Sequence, residues 1–512
     1  MLGGYYEMSL SEIQQEIVDT TGNMIVSASA GTGKTHTMVA KIAKEIEDNH
    51  THKVIAAITF TIKAAKEIRD RLTIDTAEHF IGTNNSFVIE EIIKPFARDV
   101  YGTDYCIEMC TDYYVKKQSF QEALNYLRAK KTICAYADNK KNFVFELALD
   151  IIKKSKACRL FLKAKYFKIY VDEYQDCDKT MHEFFMYLCN TLEIDLFVVG
   201  DDKQSIYIWR GAYPEAFRSI LKMDNFSKNV LRENYRSCLM IQNYSNLLSD
   251  DTRSQYKADP DTSTIILINT CASKWVEAVK PHIDLSKGVA LLRFTNDNAK
   301  LGATELSSIG AEFTYIPKTP ISDITTETAW LYNALAQYFV LQKYSIYDFM
   351  DEIPEESVGD RKIKHYLEGK IKGIKDALEI YDDATVIVCV DEIASYFGYE
   401  INEDHVRAMI STIVDEAYHP AFHMDELSHV AITFHSSKGL EFDQVIVFAN
   451  DYALNKPDSI YNHYVAVTRA KSKLIIVRLT DVNEWSGMQY CQNLVALFKK
   501  GGVTLNDVMT IL

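Results

Sequence analysis

Ala28-Ser29-Ala30-Gly31-Thr32-Gly33-Lys34-Thr35 stands between a short apolar run, Met24 to Ser27, and a helical pattern from Thr35 to Ile46. Small residues at Ser29, Ala30, Gly31, Thr32 and Gly33 let backbone N–H groups wrap around phosphate oxygens, while Lys34 reaches the β- and γ-phosphates and the Thr35 hydroxyl ligates Mg²⁺. The strict phosphate-loop pattern has Gly where Ala28 stands, so this reading needs a companion motif.

The companion is Asp172-Glu173-Tyr174-Gln175-Asp176, directly after the strand-like run Tyr166 to Val171. A carboxylate at the C-terminal end of such a strand can hold Mg²⁺, and its neighbour can polarise an attacking water. Asp172 is therefore the candidate metal ligand and Glu173 the candidate base. Most acidic clusters are solvated turns, but this one ends an apolar strand.

Around these two motifs the chain alternates strand-like runs with helical patterns. One block holds Met24 to Ser27, Val54 to Thr59, Lys168 to Val171 and Leu196 to Val199; a second holds Val289 to Leu292, Ala431 to Phe434, Gln444 to Phe448 and Lys473 to Val477. Both predict parallel sheets flanked by helices, an α/β class. A helical pattern interrupts each block. The expected organisation is a first nucleotide-fold domain over 1–87 and 161–225 with an insertion at 88–160, and a second over 226–325 and 427–512 with an insertion at 326–426. The run Phe143 to Leu162 in the first insertion carries more apolar residues than one inward stripe needs, which points to a partner interface there.

Composition narrows the function classes. With 512 residues the chain is too long for one ordinary core, and 47% hydrophobic with 25% charged residues excludes disorder. A net charge of -15 argues against nucleic-acid binding by a diffuse positive surface, so any such contact has to sit in a local basic or aromatic groove. No apolar run has the length of a membrane span, and MLGGYYEMSL lacks a signal-peptide pattern, so a cytoplasmic chain is expected. The ten cysteines stand singly apart from Cys106 and Cys110, form no CxxC pair and read as free thiols.

The phosphate loop and Asp172–Asp176 have further companions. Gly200-Asp201-Asp202-Lys203-Gln204-Ser205-Ile206-Tyr207, then Trp209-Arg210-Gly211-Ala212, resembles the third signature motif of UvrD, Rep and PcrA helicases. Thr59-Phe60-Thr61, Asn234-Tyr235-Arg236-Ser237, His435 to Phe442 and Val467-Thr468-Arg469-Ala470 match further motifs in the same order. The resemblance implies two RecA-like domains, each interrupted by an accessory insertion, and an ATP-dependent DNA helicase of 3'-5' polarity. It makes Gln14 the reader of the adenine edge and Tyr235 the residue that stacks on the base. Gln204, Arg236 and Arg469 surround the γ-phosphate, and Glu441 contacts the ribose. Cations that meet charge developing on a transferring phosphoryl group suit that role. For single-stranded DNA the resemblance implies Tyr207 and Trp209 as stacking residues, with Phe60, Lys63, Arg210 and His435 beside them. Stacking is sequence-tolerant, as a motor on arbitrary DNA requires.

Stretches outside the shared motifs, FIGTNNSFVIEEIIKPF (80–96), KKNFVFELALDIIKKS (140–155), KYFKIYVDEYQDCDKTMHEFFMYL (165–188), IPKTP (316–320) and NHYVAVTRAKSKL (462–474), resemble the GajB family, the helicase-like subunits of Gabija anti-phage systems. That likeness implies a nuclease partner of the GajA type in a hetero-oligomer acting on phage DNA. It implies ATP, with other NTPs or dNTPs left open, and Mg²⁺. Asn85 stands where the larger helicases usually carry His, Ile62 replaces an Asn, IPKTPISD follows Tyr315 in place of a Gly-Gly-x-x-Phe-Phe element, and no Glu-Glu-Arg-Arg run precedes Tyr464. These departures and the short insertions set processive unwinding apart from hydrolysis, whose residues are complete. A free-standing repair helicase and a nucleotide-switched interaction subunit are the competing readings.

Overall fold

The structure, a computed structural model, describes residues 10–105, 109–324, 326, 328–354 and 361–512; Cys106 and most of the opening MLGGYYEMSL lie outside them. The chain divides into two compact units, one up to Arg236 and one from Ser237 to Leu512.

The first unit is built on strands β1 (Met24–Ala28), β2 (Val54–Thr59), β3 (Phe80–Thr83), β4 (Cys110–Lys117), β5 (Thr132–Tyr136), β6 (Tyr166–Val171), β7 (Asp195–Gly200) and β8 (Ser227–Leu231). Six of them form one sheet in the order β3-β2-β6-β7-β1-β8, with every neighbouring pair parallel. Helices α1 (Glu12–Asp19), α2 (Lys34–Glu47) and α3 (Ile62–Arg71) are placed by local chemistry: Ser11 and Gln14 close a capping box on α1, and the Thr61 side chain caps α3. Strands β2 and β6 are buried almost throughout, as a sheet covered on both faces requires.

Two expectations change here. The first sheet does not end before residue 226, because β8 pairs along the free side of β1 and Tyr235 returns to the phosphate loop, so the first unit runs to Arg236. Nor is the insertion at 88–160 purely helical, since β4 and β5 form a small parallel sheet of their own. Its helix Phe143–Lys154 buries Phe143, Val144, Phe145, Leu147, Ala148, Leu149, Ile151 and Ile152. These side chains join Ile25, Val54, Ile58 and Ile169 of the main sheet in one continuous core. The apolar surplus is thus consumed by packing inside the unit, and the partner interface drawn from it loses its support; of the large apolar side chains of this run, Leu160 and Phe161 remain exposed.

The second unit carries β9 (Ile265–Thr270), β10 (Val289–Arg293), β11 (Thr314–Tyr315), β12 (His429–Thr433), β13 (Phe442–Phe448), β14 (Ala470–Leu479) and β15 (Thr510–Ile511). They form a parallel sheet in the order β11-β12-β10-β13-β14-β9-β15. Helices Ala329–Val340, Arg361–Glu379, Asp383–Tyr396 and Glu403–Val414 pack around a separate core of Leu331, Leu335, Phe349, Leu367, Ile374, Val390 and Met409. This insertion therefore holds itself together, whereas the first one shares its host's core. The described cysteines are free thiols, and no helix among the described residues is long and apolar enough to cross a membrane.

Candidate nucleotide and nucleic-acid site

In open parallel sheets ligands collect at the carboxyl ends of the strands. Here β1 ends on the phosphate loop, β2 on Thr59-Phe60-Thr61, β6 on Asp172-Glu173 and β7 on Gly200-Asp201.

The loop itself is held by Thr32 Oγ1, which donates to Ser29 O at 2.9 Å. Gly31 and Gly33 both have left-handed backbones, φ +76° and +79°. At Gly31 a Cβ would stand 2.7 Å from both Arg236 Cβ and Asn234 Oδ1, so glycine is required there by conformation and by space. That close approach is a clamp. Asn234 Nδ2 donates to Ala30 O at 2.9 Å, Tyr235 N–H to Gly31 O at 2.8 Å, and Arg236 N–H to Asn234 Oδ1 at 2.9 Å. The exposed ring of Tyr235 is thereby fixed next to the loop, its hydroxyl donating to Glu233 at 2.6 Å. Gln14 is buried on α1, and its amide nitrogen lies 2.9 Å from where a side chain at Gly33 would begin.

Lys34 Nζ lies 3.1 Å from Glu173 Oε1, so the expected phosphate-binding cation and the expected base face each other. Glu173 has φ +50°, a left-handed conformation costing about 1 kcal/mol or more that persists where surroundings over-determine it. The surroundings are visible. Asp172 Oδ1 accepts the Glu173 N–H at 2.8 Å, and the buried Gln175 amide donates to Glu173 Oε2 while accepting the Asp201 N–H at 3.1 Å. Asp201 in turn accepts from Gln204 Nε2 at 3.0 Å and pairs with Lys203 Nζ at 2.7 Å. Burial pushes the Asp201 carboxyl up, but the ammonium groups of Lys203 and Lys34 outweigh it and hold the group below its ordinary value. Asp202 goes the other way: burial raises it despite Lys203 and Arg218. The result is one hydrogen-bonded chain from Lys34 through Glu173, Gln175 and Asp201 to Gln204. Asn234 and Gln175 were not singled out from sequence, where a polar residue inside a motif gives no sign of what it bridges.

Past Gln204 the chain turns outward. Tyr207 is half-buried, Trp209 is 54% exposed, and the Arg210 guanidinium lies 4.6 Å above the Trp209 ring centre and 5.8 Å from that of Tyr207. Phe60 packs partly on the core, while Lys63 is exposed on α3.

Three expected residues belong to the second unit. Glu441 is exposed and pairs with Lys471 at 2.8 Å. Arg469 is fully buried: Nε donates to Val465 O at 2.9 Å, Nη1 to Leu440 O at 3.1 Å and Nη2 to Thr468 Oγ1 at 3.2 Å. With the Phe442 N–H bonded back to Arg469 O at 2.8 Å, it braces the segment that carries Glu441. His435 is half-buried between Phe434 and the 44%-exposed Phe294, ring centres 3.8 and 6.1 Å away. Phe294 went unassigned in the sequence because nothing but its place after β10 marks it.

The geometry fits a nucleoside triphosphate with a divalent ion: a glycine cradle, Lys34, the Thr35 hydroxyl on the first turn of α2 and a buried Asp172 at a strand end. Comparison with known proteins agrees. A family model described as AAA domain matches residues 14–210, and one for the UvrD-like helicase C-terminal domain matches 429–477. Gabija protein GajB of Bacillus cereus (strain VD045) is 40% identical over 479 residues, 91% of this chain and 94% of that protein. ATP-dependent DNA helicase PcrA of Bacillus subtilis (strain 168) is 29% identical over 46% of this chain and 39% of its own length. ATP-dependent DNA helicase Rep of Escherichia coli (strain K12) is 27% identical over 47% of this chain and 43% of its own.

Proposed function

We propose, from the premise that the chain belongs to the GajB family of UvrD-like helicases, that it is a DNA-stimulated nucleoside triphosphatase working beside a nuclease of the GajA type against phage DNA. It is an ATP-dependent DNA helicase by family, and we assign it 3'-5' polarity and single-stranded DNA or DNA ends as its track on the same ground.

The observation that carries this reading is the Lys34–Glu173 pair, held by Gln175 at the edge of the phosphate loop. In our reading Lys34 binds the β- and γ-phosphates, and Glu173 orients the attacking water and takes its proton. Gln204 and Arg236 meet charge that develops on the γ-phosphoryl oxygens, and we assign Arg469 to the same charge and Glu441 to the ribose. Tyr235 stacks on the base while Gln14 reads its edge. Thr35 and Asp172 are the residues that would hold Mg²⁺, which when bound offsets phosphate charge. Tyr207 and Trp209 stack on DNA bases, with Phe60, Lys63, Arg210 and His435 alongside.

Phosphate release with and without a single-stranded oligonucleotide tests the proposal, together with co-purification of the chain with a neighbouring nuclease gene product. Stimulation by DNA is expected. A slow, DNA-indifferent rate with firm nuclease binding would instead favour a nucleotide-switched interaction subunit.

A further inference from the structure

Beside Arg210, the neighbour of Trp209, the surface of the first unit has an open hollow of about 170 Å³ whose lining includes Asn85, Tyr113, Lys140, Lys141, Asn142 and Arg210. In a chain of net charge -15, a hollow lined by the three cationic residues Lys140, Lys141 and Arg210 is a local reversal of sign. Lys140 and Lys141 are exposed, and neither enters a salt bridge among the described residues.

Their loop is nevertheless fixed. The Lys140 N–H donates to Asp138 Oδ1 and the Lys141 N–H to Asp138 O, both at 3.0 Å. Asn142 Nδ2 donates to Asp178 Oδ2 at 2.8 Å, and its Oδ1 accepts the Phe145 N–H at 3.3 Å. The Lys140 backbone passes directly over Gly211, 2.9 Å from where a Cβ there would stand. The Trp209 segment is tied to the same anchor, since Asp178 bridges Ala212 and the Tyr213 N–H donates to Cys177 O at 2.8 Å. The hollow's acidic group, Asp178, is committed elsewhere: besides Asn142 it accepts the Met181 N–H at 2.9 Å as the cap of helix Lys179–Asn190. Two lysines, an arginine and an exposed indole are thus carried on one hydrogen-bonded framework, with both lysines exposed.

We propose that the loop Asp138–Asn142 of the first insertion, together with Arg210, is a phosphodiester subsite for the single strand that stacks on Trp209. Lys140 and Lys141 neutralise backbone phosphates while the indole takes a base. The inference rests on the reading of the chain as a single-strand-binding motor, and deepens it by giving the insertion a direct hold on the strand.

Phosphate neutralisation and stacking separate by salt, since only the former releases counterions. Anisotropy of a fluorescent oligothymidine titrated with the full chain between 50 and 200 mM salt reads both. For Lys140→Ala with Lys141→Ala, affinity at 50 mM falls about tenfold, and the slope of log affinity against log salt becomes shallower by about 1.4, the loss of two single-strand phosphates. Trp209→Ala weakens binding with the slope unchanged. Lys372→Ala with Lys375→Ala, an equal change of charge on helix Arg361–Glu379, leaves both near the parent. Parent-like affinity and slope in the Lys140/Lys141 variant overturn the subsite while the motor reading stands, and so does an equal effect from the Lys372/Lys375 pair. Absence of oligothymidine binding by the parent overturns both.

Discussion

Asn234→Ala probes the clamp that joins the phosphate loop to the base-stacking tyrosine. The substitution removes the donor to Ala30 O and the acceptor of the Arg236 N–H, both at 2.9 Å, and opens the space against Gly31. A hydrogen bond contributes about 0.5–1.5 kcal/mol net, so two contribute about 1–3 kcal/mol; partial exposure places this pair in the lower half, about 1–2 kcal/mol. If that energy holds Tyr235 and Arg236 where nucleotide meets them, its loss weakens nucleotide binding about 5- to 30-fold. The Tyr235 N–H bond to Gly31 O remains and keeps the effect from growing further. Titration with a fluorescent ATP analogue measures the loss, and a thermal melt within a few degrees of the parent shows that the unit is folded. Gly31→Ala forces a Cβ into a left-handed position 2.7 Å from two atoms and is expected to be at least as damaging. A folded Asn234→Ala variant that binds nucleotide within twofold of the parent refutes the clamp.

Lys34→Ala removes the phosphate contact and the partner of Glu173 together, so nucleotide affinity and turnover both fall, by at least about tenfold each in titration and phosphate release. Trp209→Ala removes about 1–3 kcal/mol of base stacking, so DNA-stimulated hydrolysis falls while the DNA-free rate stays near the parent; a matched fall in both makes Trp209 structural. Burial holds His463 down to about 3, against an ordinary 6.5, beside the hydroxyls of Tyr244 and Tyr490. The unfolded chain therefore takes up this proton first: the stabilisation is complete above pH 6.5 and shrinks as pH falls toward 3, by about 1.4 kcal/mol per unit. Thermal midpoints of the parent should drop more steeply between pH 6 and 4.5 than those of His463→Gln, and parallel curves would contradict this account.

The strands most legible in the sequence were the buried ones. Val54–Thr59, Tyr166–Val171 and Phe442–Phe448 are apolar on both faces or nearly so, and such runs announce themselves. The edge strands did not. Ser227–Leu231 alternates half-buried and exposed residues, and Phe80–Thr83, Thr314–Tyr315 and Thr510–Ile511 are too short for any period to emerge. β4 was hidden in another way, because Cys110–Lys117 mixes charge with aromatics in a segment whose flanks are helical. Ile265–Thr270, not among the expected strands, is an apolar run between polar stretches and lies beside β14. At the site, residue types with a fixed chemical role, Lys34, Asp172 and Glu173, stood out at their spacing. The bridging amides of Gln175 and Asn234 did not, since their importance lies in what they join across the fold. The apolar surplus of Phe143–Leu162 shows the opposite error: periodicity counts apolar residues without telling an outside partner from the chain's own sheet.

The most direct test of the hydrolytic claim is turnover of Glu173→Gln with saturating ATP, Mg²⁺ and single-stranded DNA, with nucleotide affinity measured on the same preparation. Glutamine retains the shape that Gln175 and Lys34 surround but cannot take a proton from water. Affinity within about threefold of the parent and turnover reduced at least about a hundredfold is the predicted result. Hydrolysis near the parent rate would contradict the assignment of Glu173 as the base and, with it, the mechanism built on the Lys34–Glu173 pair.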